Sequence, residues 1–352
     1  MSGPVLMNSL VGVLHHFRKE PFAVMADIQQ MFYGFFVTEN HRNFLRFFWH
    51  QDHNPHKELI EYRMCVHVFG NSPSPAVATY GLRRCVEHSE DPEVKEFVNN
   101  QFYVDDGLAS FPTEEEAISV LQKTCETLFQ EGQLKLHKIA SNSKTVMNSF
   151  CTEDLASDLK TLDIAKADLP LQHSLGLVWD LNTDTFTYRV RDDEKPFTRR
   201  GVLSVVNSLF DPLGMIAPFV LQGRILMRDL IAETIDWDDP LPECRIKDWR
   251  NWKDSLKSLE HLQVPRCLLQ HSYKDCDVKR LHVFSDASEQ AIAAVAFLQA
   301  IDSNRTIRIG FTYGKSKIAP KHGHTIPRLE LCAAVLAVEV GEMVSTSRTG
   351  IE

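Results

Sequence analysis

The chain has 352 residues, 43% hydrophobic and 24% charged, which suits two or three folded domains and excludes disorder or a collagen-like repeat as its main state. Its 38 basic and 47 acidic residues leave a formal charge of −9, a balance that does not advertise a nucleic-acid binder. No apolar run approaches the roughly 18 residues of a membrane-spanning helix, and the start lacks a secretory pattern. The eight scattered cysteines, without a CxxC, read as reduced and mostly buried thiols of an intracellular protein, with no support for zinc.

Leu10–Phe17 reads as a short helix that Pro21 breaks, and Phe22–Asp27 as a buried strand ending in a carboxylate. Strands are expected near Phe44–Trp49 and Tyr62–Val68, then a helix over Ser74–Val86 with Pro75 in its first turn. Gln101–Val104 and Leu108–Phe111 flank Asp105-Asp106-Gly107, a tight hairpin signal. Thr113 caps a helix to about Glu131, and Gly132 closes it. Further on, Ser174–Trp179 and Thr185–Val190 read as strands. Thr198 caps a helix to Phe210, Asp211-Pro212-Leu213-Gly214 interrupts it, and Phe219–Thr234 resumes. An acidic linker, Asp236–Pro242, leads to a helix near Asp248–Leu259. Strands Leu281–Phe284, Ala291–Leu298 and Thr306–Tyr313 then precede a long helix from Pro327 to about Val344. That helix carries a broad apolar stripe, including Leu329, Leu331, Ala334, Val335 and Val338, part of which is expected to face water, with an unpaired edge on the third strand.

The sharpest chemistry is Asp27 at a strand end and Asp105-Asp106 at a hairpin tip. Magnesium takes hard oxygen ligands, and paired ions about 3.5–4 Å apart serve in-line phosphoryl displacement. Because strand side chains alternate, Asp105 is expected to face the ions, with Asp106 in support. Taken alone, Asp-Asp-Gly is a solvated turn.

Tyr103-Val104-Asp105-Asp106 resembles the catalytic box of reverse transcriptases, and other blocks follow that family in order. Ala26–Phe32 resembles its first palm motif, Phe69-Gly70 with Ser74-Pro75-Ala76 the second, Gly132–Ser143 the fourth, and Leu175–Trp179 the primer-gripping hairpin. Arg46–Trp49, Tyr80–Arg84 and Ser141-Asn142-Ser143 are similar to the Bel/Pao class of LTR retrotransposon polyproteins. The resemblance implies an α+β fold: a partial right-hand polymerase palm and thumb, then a truncated ribonuclease H-like α/β domain. Residues 1–150 would be fingers and palm, 151–270 thumb and connection, the segment that carries a Pao retrotransposon peptidase name, and 275–352 ribonuclease H-like.

By the same resemblance, Asp27, Asp105 and Asp106 hold two magnesium ions for RNA-directed DNA synthesis. Phe32 walls off the nucleotide's 2′-hydroxyl, and Phe69 and Gly70 floor its pocket. Lys138 sits near the leaving pyrophosphate. Asp286 and Glu330 form half of a ribonuclease H metal site. Arg199, Arg200, Arg224 and Arg228 are candidates for backbone phosphates, with solvated helix faces an equal alternative. The implied partners are an RNA or DNA primer-template and deoxynucleotides, without a membrane, in the cytoplasm with access to the nucleus. Only 26 residues precede Asp27, so the family's basic fingers clamp is expected to be missing and polymerase activity impaired. Two alternatives stand beside this. One is a non-catalytic remnant that binds nucleic acid or protein. The other is an aspartic peptidase, for which no Asp-Thr-Gly or Asp-Ser-Gly is present.

Overall fold

The computed structural model describes residues 6–160, 162, 168–190, 195–231, 236–320 and 323–346. The helix α1 (Leu10–Phe17) starts where the Ser9 side chain accepts the Gly12 N–H, and it buries Val13, Leu14 and Phe17. After Pro21 comes β1 (Phe22–Ile28), an apolar strand buried along most of its length. A two-stranded ribbon, β2 (Arg46–His50) with β3 (Leu59–Arg63), stands apart from the main sheet. Then follow α2 (Ser74–Cys85), α3 (Pro92–Asn100), β4 (Phe102–Tyr103), β5 (Asp106–Phe111), α4 (Glu114–Gly132), β6 (Leu136–Ser141) and α5 (Lys144–Asn148). The strands form an antiparallel sheet in the order β4-β5-β1-β6, with α1 against β5 and α4 against β1 and β5.

A second sheet has the order β10-β9-β8-β7, built from β7 (Leu171–Ser174), β8 (Leu177–Asp180), β9 (Thr185–Thr187) and β10 (Val264–Pro265). Between β9 and β10 the chain forms α6 (Arg199–Ser208), α7 (Ala217–Ile231) and α8 (Ile246–Leu256). These helices share a core of Val202, Val206, Ile216, Val220, Met227, Trp249 and Trp252. The third sheet is β11 (Cys276–Ala287), β12 (Ala291–Asp302) and β13 (Ile307–Ile318), with α9 (Ile326–Thr346) packed on it. A single core runs from β1 and α4 through Trp179 and Phe186 to Ala294, Ala296, Leu336 and Val340.

Several elements differ from the sequence reading. The expected strand at Tyr62–Val68 is shifted: β3 ends at Arg63, and only a bridge from Phe36 to Val66 follows. Ser174–Trp179 is a hairpin turn rather than one strand, because Leu175 and Gly176 take positive φ. Gly132 remains helical, and Gln133 takes the left-handed position that ends α4. The last three residues expected in the helix Phe219–Thr234, Ala232, Glu233 and Thr234, lie outside the described residues. The cysteines are all free, but Cys65, Cys151, Cys244 and Cys332 are exposed rather than buried. Leu331, Val335 and Val338 of α9 do face outward, while Leu329, Ala333 and Leu336 are buried. Both β11 and β13 sit at sheet edges among the described strands. No described helix is long and apolar enough to cross a membrane.

The Asp211-Pro212-Leu213-Gly214 stretch caps α7 and joins it to β13. Asp211 accepts the Met215 and Ile216 N–H groups at 2.8 and 2.9 Å, just before α7. The next turn meets β13 backbone to backbone, with the Gly314 N–H donating to the Leu213 carbonyl at 2.9 Å. Gly214 has φ +77°, and a Cβ there would lie 2.0 Å from the Gly314 oxygen. Gly214→Ala is therefore expected to cost about 2–4 kcal/mol, combining left-handed strain with a forced backbone shift. A urea melt checks it, and an unchanged midpoint contradicts it.

Glu20 ties the start of β1 to the loop before β11. Its Oε2 accepts from the Ser272 hydroxyl at 2.8 Å and from the Tyr273 N–H at 2.9 Å. Burial raises its pKa above the ordinary glutamate value, against the lowering effect of those hydrogen bonds and of Lys19 and Lys274. A raised folded-state carboxyl favours the protonated form. Its contribution is therefore full below the unfolded pKa and is lost as pH rises through the folded value. Any offset from the amide itself is constant with pH. The stability of Glu20→Gln relative to wild type should thus increase from about pH 4 to neutrality, and a flat difference between melting curves contradicts it.

Candidate active site

Asp27 lies near the end of β1, flanked by both neighbouring strands: it is paired with Asp106 of β5 and with His137 of β6. Asp105 sits in the β4–β5 turn, where its carbonyl accepts the Ile28 N–H at 3.0 Å. This corrects the argument from strand alternation. Asp105 is outside the strand, so the alternation does not separate it from Asp106, and both line one cleft. The turn is tight enough to hold Val104 at φ +59°, an uncommon conformation for a β-branched residue.

The electrostatics follow from crowding carboxylates in a partly buried place. Burial, then the charges of Asp105 and Asp27, push Asp106 up to about 7. Asp105 is raised by burial and by Asp27. Lys138 opposes both shifts, and its own pKa is raised, chiefly by its hydrogen bond to Asp27.

A β-bulge brings Lys138 there. The β1–β6 register passes from Met25 opposite Ala140 to Asp27 opposite His137, so two steps on β1 face three on β6. Lys138 takes φ +52° at this bulge. Consecutive side chains that a regular strand would send to opposite faces now share one carboxylate. His137 Nε2 lies 2.9 Å from Asp27 Oδ1, and Lys138 Nζ 2.8 Å from Asp27 Oδ2. Sequence reasoning named Lys138 for a leaving pyrophosphate and missed His137. Nothing in the residue order announces a bulge.

The cleft, about 320 Å³, is lined by Phe32, Val68, Phe69, Gly70, Ser74, Pro75, Tyr103, Val104, Asp105, Asp106 and Leu175. Phe32 is buried, and Phe69, 64% exposed, meets it edge to face with centroids 4.7 Å apart. Gly70 has φ +81° and open space where a Cβ would stand, so its backbone conformation alone asks for glycine. Beyond the cleft, the β2–β3 ribbon and its approach expose Phe44, Phe48, Trp49 and Leu59 beside Arg46 and Arg63.

Asp286 and Glu330 are less organised. Asp286, exposed on β11, accepts its neighbour Ala287 N–H and borders a cavity of about 490 Å³ between the start of α7 and the third sheet. Glu330 is exposed near the start of α9 and is not among that cavity's lining residues. Among the four arginines, Arg199 donates to the Ile231 carbonyl and Arg200 forms a forked pair with Asp238. Arg228 bonds the Ala319 carbonyl and Asp229. Those three are engaged within the protein, and Arg224 is exposed. Among the described residues, no three His, Cys, Asp or Glu side chains converge, as they stand, on a point that could hold an ion.

Residues 198–349 match the family model of the Pao retrotransposon-like RNaseH-like domain. Where a peptidase name was expected over 151–270, the matched description is thus of an RNaseH-like domain, running from α6 through α9. Over 98% of its length the chain superposes on a foamy viral protease-reverse transcriptase dRH solved in complex with ds DNA, with a TM-score of 0.61 and 12% identity. A foamy viral protease-reverse transcriptase in complex with RNA/DNA hybrid gives 0.57 and 11% over 99% of the chain. The chain spans 52% and 40% of those two proteins, and at this identity the likeness shows a shared fold. No curated protein matches the sequence. Together, the family match and the fold support a region of a retroelement polyprotein.

Proposed function

We propose that this chain carries the palm of a Bel/Pao-type reverse transcriptase in residues 1–150, its thumb and connection in 151–270, and a ribonuclease H-like segment in 275–352. The observation that carries the reading is the pairing of Asp27 with Asp106, with Asp105 in the adjoining turn, where Asp105 and Asp106 line a cleft together with Phe69 and Gly70. Three hard-oxygen side chains, with Asp105 and Asp106 raised first by burial and then by their acidic neighbours, suit a divalent cation. Bound magnesium would be held by Asp27, Asp105 and Asp106 and would neutralise charge on the transferring phosphoryl group.

The protein's own part is positioning. Phe32, pinned against Phe69, presents a ring where a sugar would lie, and Lys138 adds a cation beside the carboxylates. The exposed aromatic ribbon offers stacking surfaces for a primer-template, despite the net charge of −9, while its Arg46 and Arg63 pair with Glu61 and Glu39. Such an enzyme would work in the cytoplasm, with deoxynucleotides as substrates. The test is primer extension by the intact chain with and without Mg²⁺. Template-directed, magnesium-dependent incorporation is expected, and none at all contradicts the reading. Phe32→Val should then accept ribonucleotides more readily, and unchanged selectivity would return Phe32 to the core alone.

A second reading, a nucleic-acid binder without catalysis, is favoured by one observation: both Asp27 oxygens are already bonded to His137 and Lys138. Binding of a labelled RNA/DNA hybrid without extension would support it.

A further inference from the structure

We propose that the cavity between residues 264–270 and β13 is an anion site, which takes a phosphate group on Arg308 with the charge of Arg18 behind it. The cavity shares no lining residue with the carboxylate cleft. Its test needs no polymerase activity, so it stands or falls apart from the reading above.

The cavity holds about 370 Å³, and its lining sets Arg18 and Arg308 among Leu268, Leu269, Ile309 and Phe311. Among the described residues that line it, none is acidic. Its walls are seated directly on backbone. The Leu268 N–H donates to the Arg18 carbonyl at 2.9 Å, and a Cβ on Gly310 would lie 2.3 Å from the Leu268 oxygen.

The two guanidiniums are placed for one ligand. Arg18 is 2% exposed, and its Nε and Nη1 donate to the Arg266 and Thr312 carbonyls at 3.1 and 3.3 Å. Both acceptors are neutral, so these bonds orient the group without cancelling its charge. Arg308 Nε is buried and has no hydrogen-bond partner among the described residues. A buried donor calls for an acceptor, and a guanidinium stays charged at any working pH. Asp302 does not fill that role: it accepts the Asn304 and Thr306 N–H groups at 3.0 and 2.8 Å and feels Arg308 least of the groups around it. A water molecule would satisfy one N–H but neither charge. A phosphate brings up to two negative charges and several acceptor oxygens, matched to the guanidinium fork, and the apolar walls strengthen the attraction. Such a group has two sources, free phosphate in solution or a phosphate on a nucleic-acid strand.

The experiment is calorimetric titration of the intact chain with inorganic phosphate, on wild type, Arg308→Gln and Arg308→Lys. Saturable binding is expected in wild type, weakened about ten-fold or more in Arg308→Gln, with Arg308→Lys in between because it keeps the charge and loses the fork. A measurement without variants runs beside it: phosphate added to ¹⁵N-labelled wild type should shift the Arg308 Nε–H resonance. Competition then separates the sources. Displacement of phosphate by a 5′-phosphorylated DNA oligonucleotide but not by its 5′-hydroxyl counterpart assigns the site to a strand end. Displacement by both assigns it to the strand's internal phosphates, and displacement by neither to free phosphate. Wild type that does not bind phosphate, binding unchanged in Arg308→Gln, or a static Arg308 resonance overturns the site.

Discussion

Arg266→Ala is expected to destabilise the chain by about 3–5 kcal/mol, a large part of the roughly 5–15 kcal/mol that holds an ordinary domain folded. Arg266 is fully buried, and every guanidinium nitrogen has work inside the protein. Nε and Nη2 form a fork with the two Asp184 oxygens at 2.6 and 2.8 Å. Nη1 donates to the Phe17 and Glu20 carbonyls, and Nη2 also to that of Pro21. The guanidinium lies 5.4 Å from the Phe17 ring centroid and 5.9 Å from that of Trp179. One side chain therefore ties the second sheet to the connection between α1 and β1, the strand that carries Asp27. Alanine would take the buried donor from the Phe17 and Glu20 carbonyls and the countercharge from Asp184, while Pro21 keeps the Asn142 amide and Asp184 the Trp179 indole N–H. Arg266→Lys should rescue little, since a single ammonium cannot span a forked partner and three carbonyls. Equilibrium urea melts of the two variants check this, and a loss below about 1 kcal/mol in Arg266→Ala would contradict it.

That keystone was invisible in the sequence, where Arg266 is one basic residue in Val-Pro-Arg-Cys. Its partners lie 82 and about 250 residues away. What could be read was local. The apolar run into Asp27 and the caps at Thr113 and Thr198 lie where their chemistry predicts, because each is decided within a few residues; the expected hairpin forms too, but its turn is Val104-Asp105, with Asp106 and Gly107 already paired in β5. The helix α3, which Asp91-Pro92 begins with a cap and a proline at N1, was not anticipated. The strands of the third sheet run to 12 residues, longer than their apolar centres, since exposed positions alternate outward along β11 and β13. His137 was hidden for another reason. Only the bulge, a mismatch between two strands 110 residues apart, turns it toward Asp27.

The second large effect concerns the carboxylates, and the three should not be equivalent. Asp105→Asn and Asp27→Asn are each expected to lower magnesium-dependent incorporation by about 10³-fold or more, the several kcal/mol that ion-borne charge neutralisation contributes. Asp106→Asn should cost less. Burial and its two acidic neighbours push Asp106 up to about 7 when no cation is bound, so near neutrality a proton competes with the ion for it, and asparagine resembles the protonated form. At subsaturating Mg²⁺ the ratio of Asp106→Asn to wild-type activity should therefore fall as pH rises past 7, where that proton no longer competes in the wild type. Single-nucleotide incorporation rates across pH 6 to 9 measure this; equal losses in all three variants would contradict the asymmetry.

The measurement closest to the central claim is anomalous scattering from crystals of the intact chain grown or soaked with Mn²⁺. If Asp27, Asp105 and Asp106 form an ion site of the polymerase type, a manganese peak should appear within bonding distance, about 2.0–2.3 Å, of Asp27 and Asp105 oxygens. Saturating Mn²⁺ that leaves these carboxylates without a peak would contradict it.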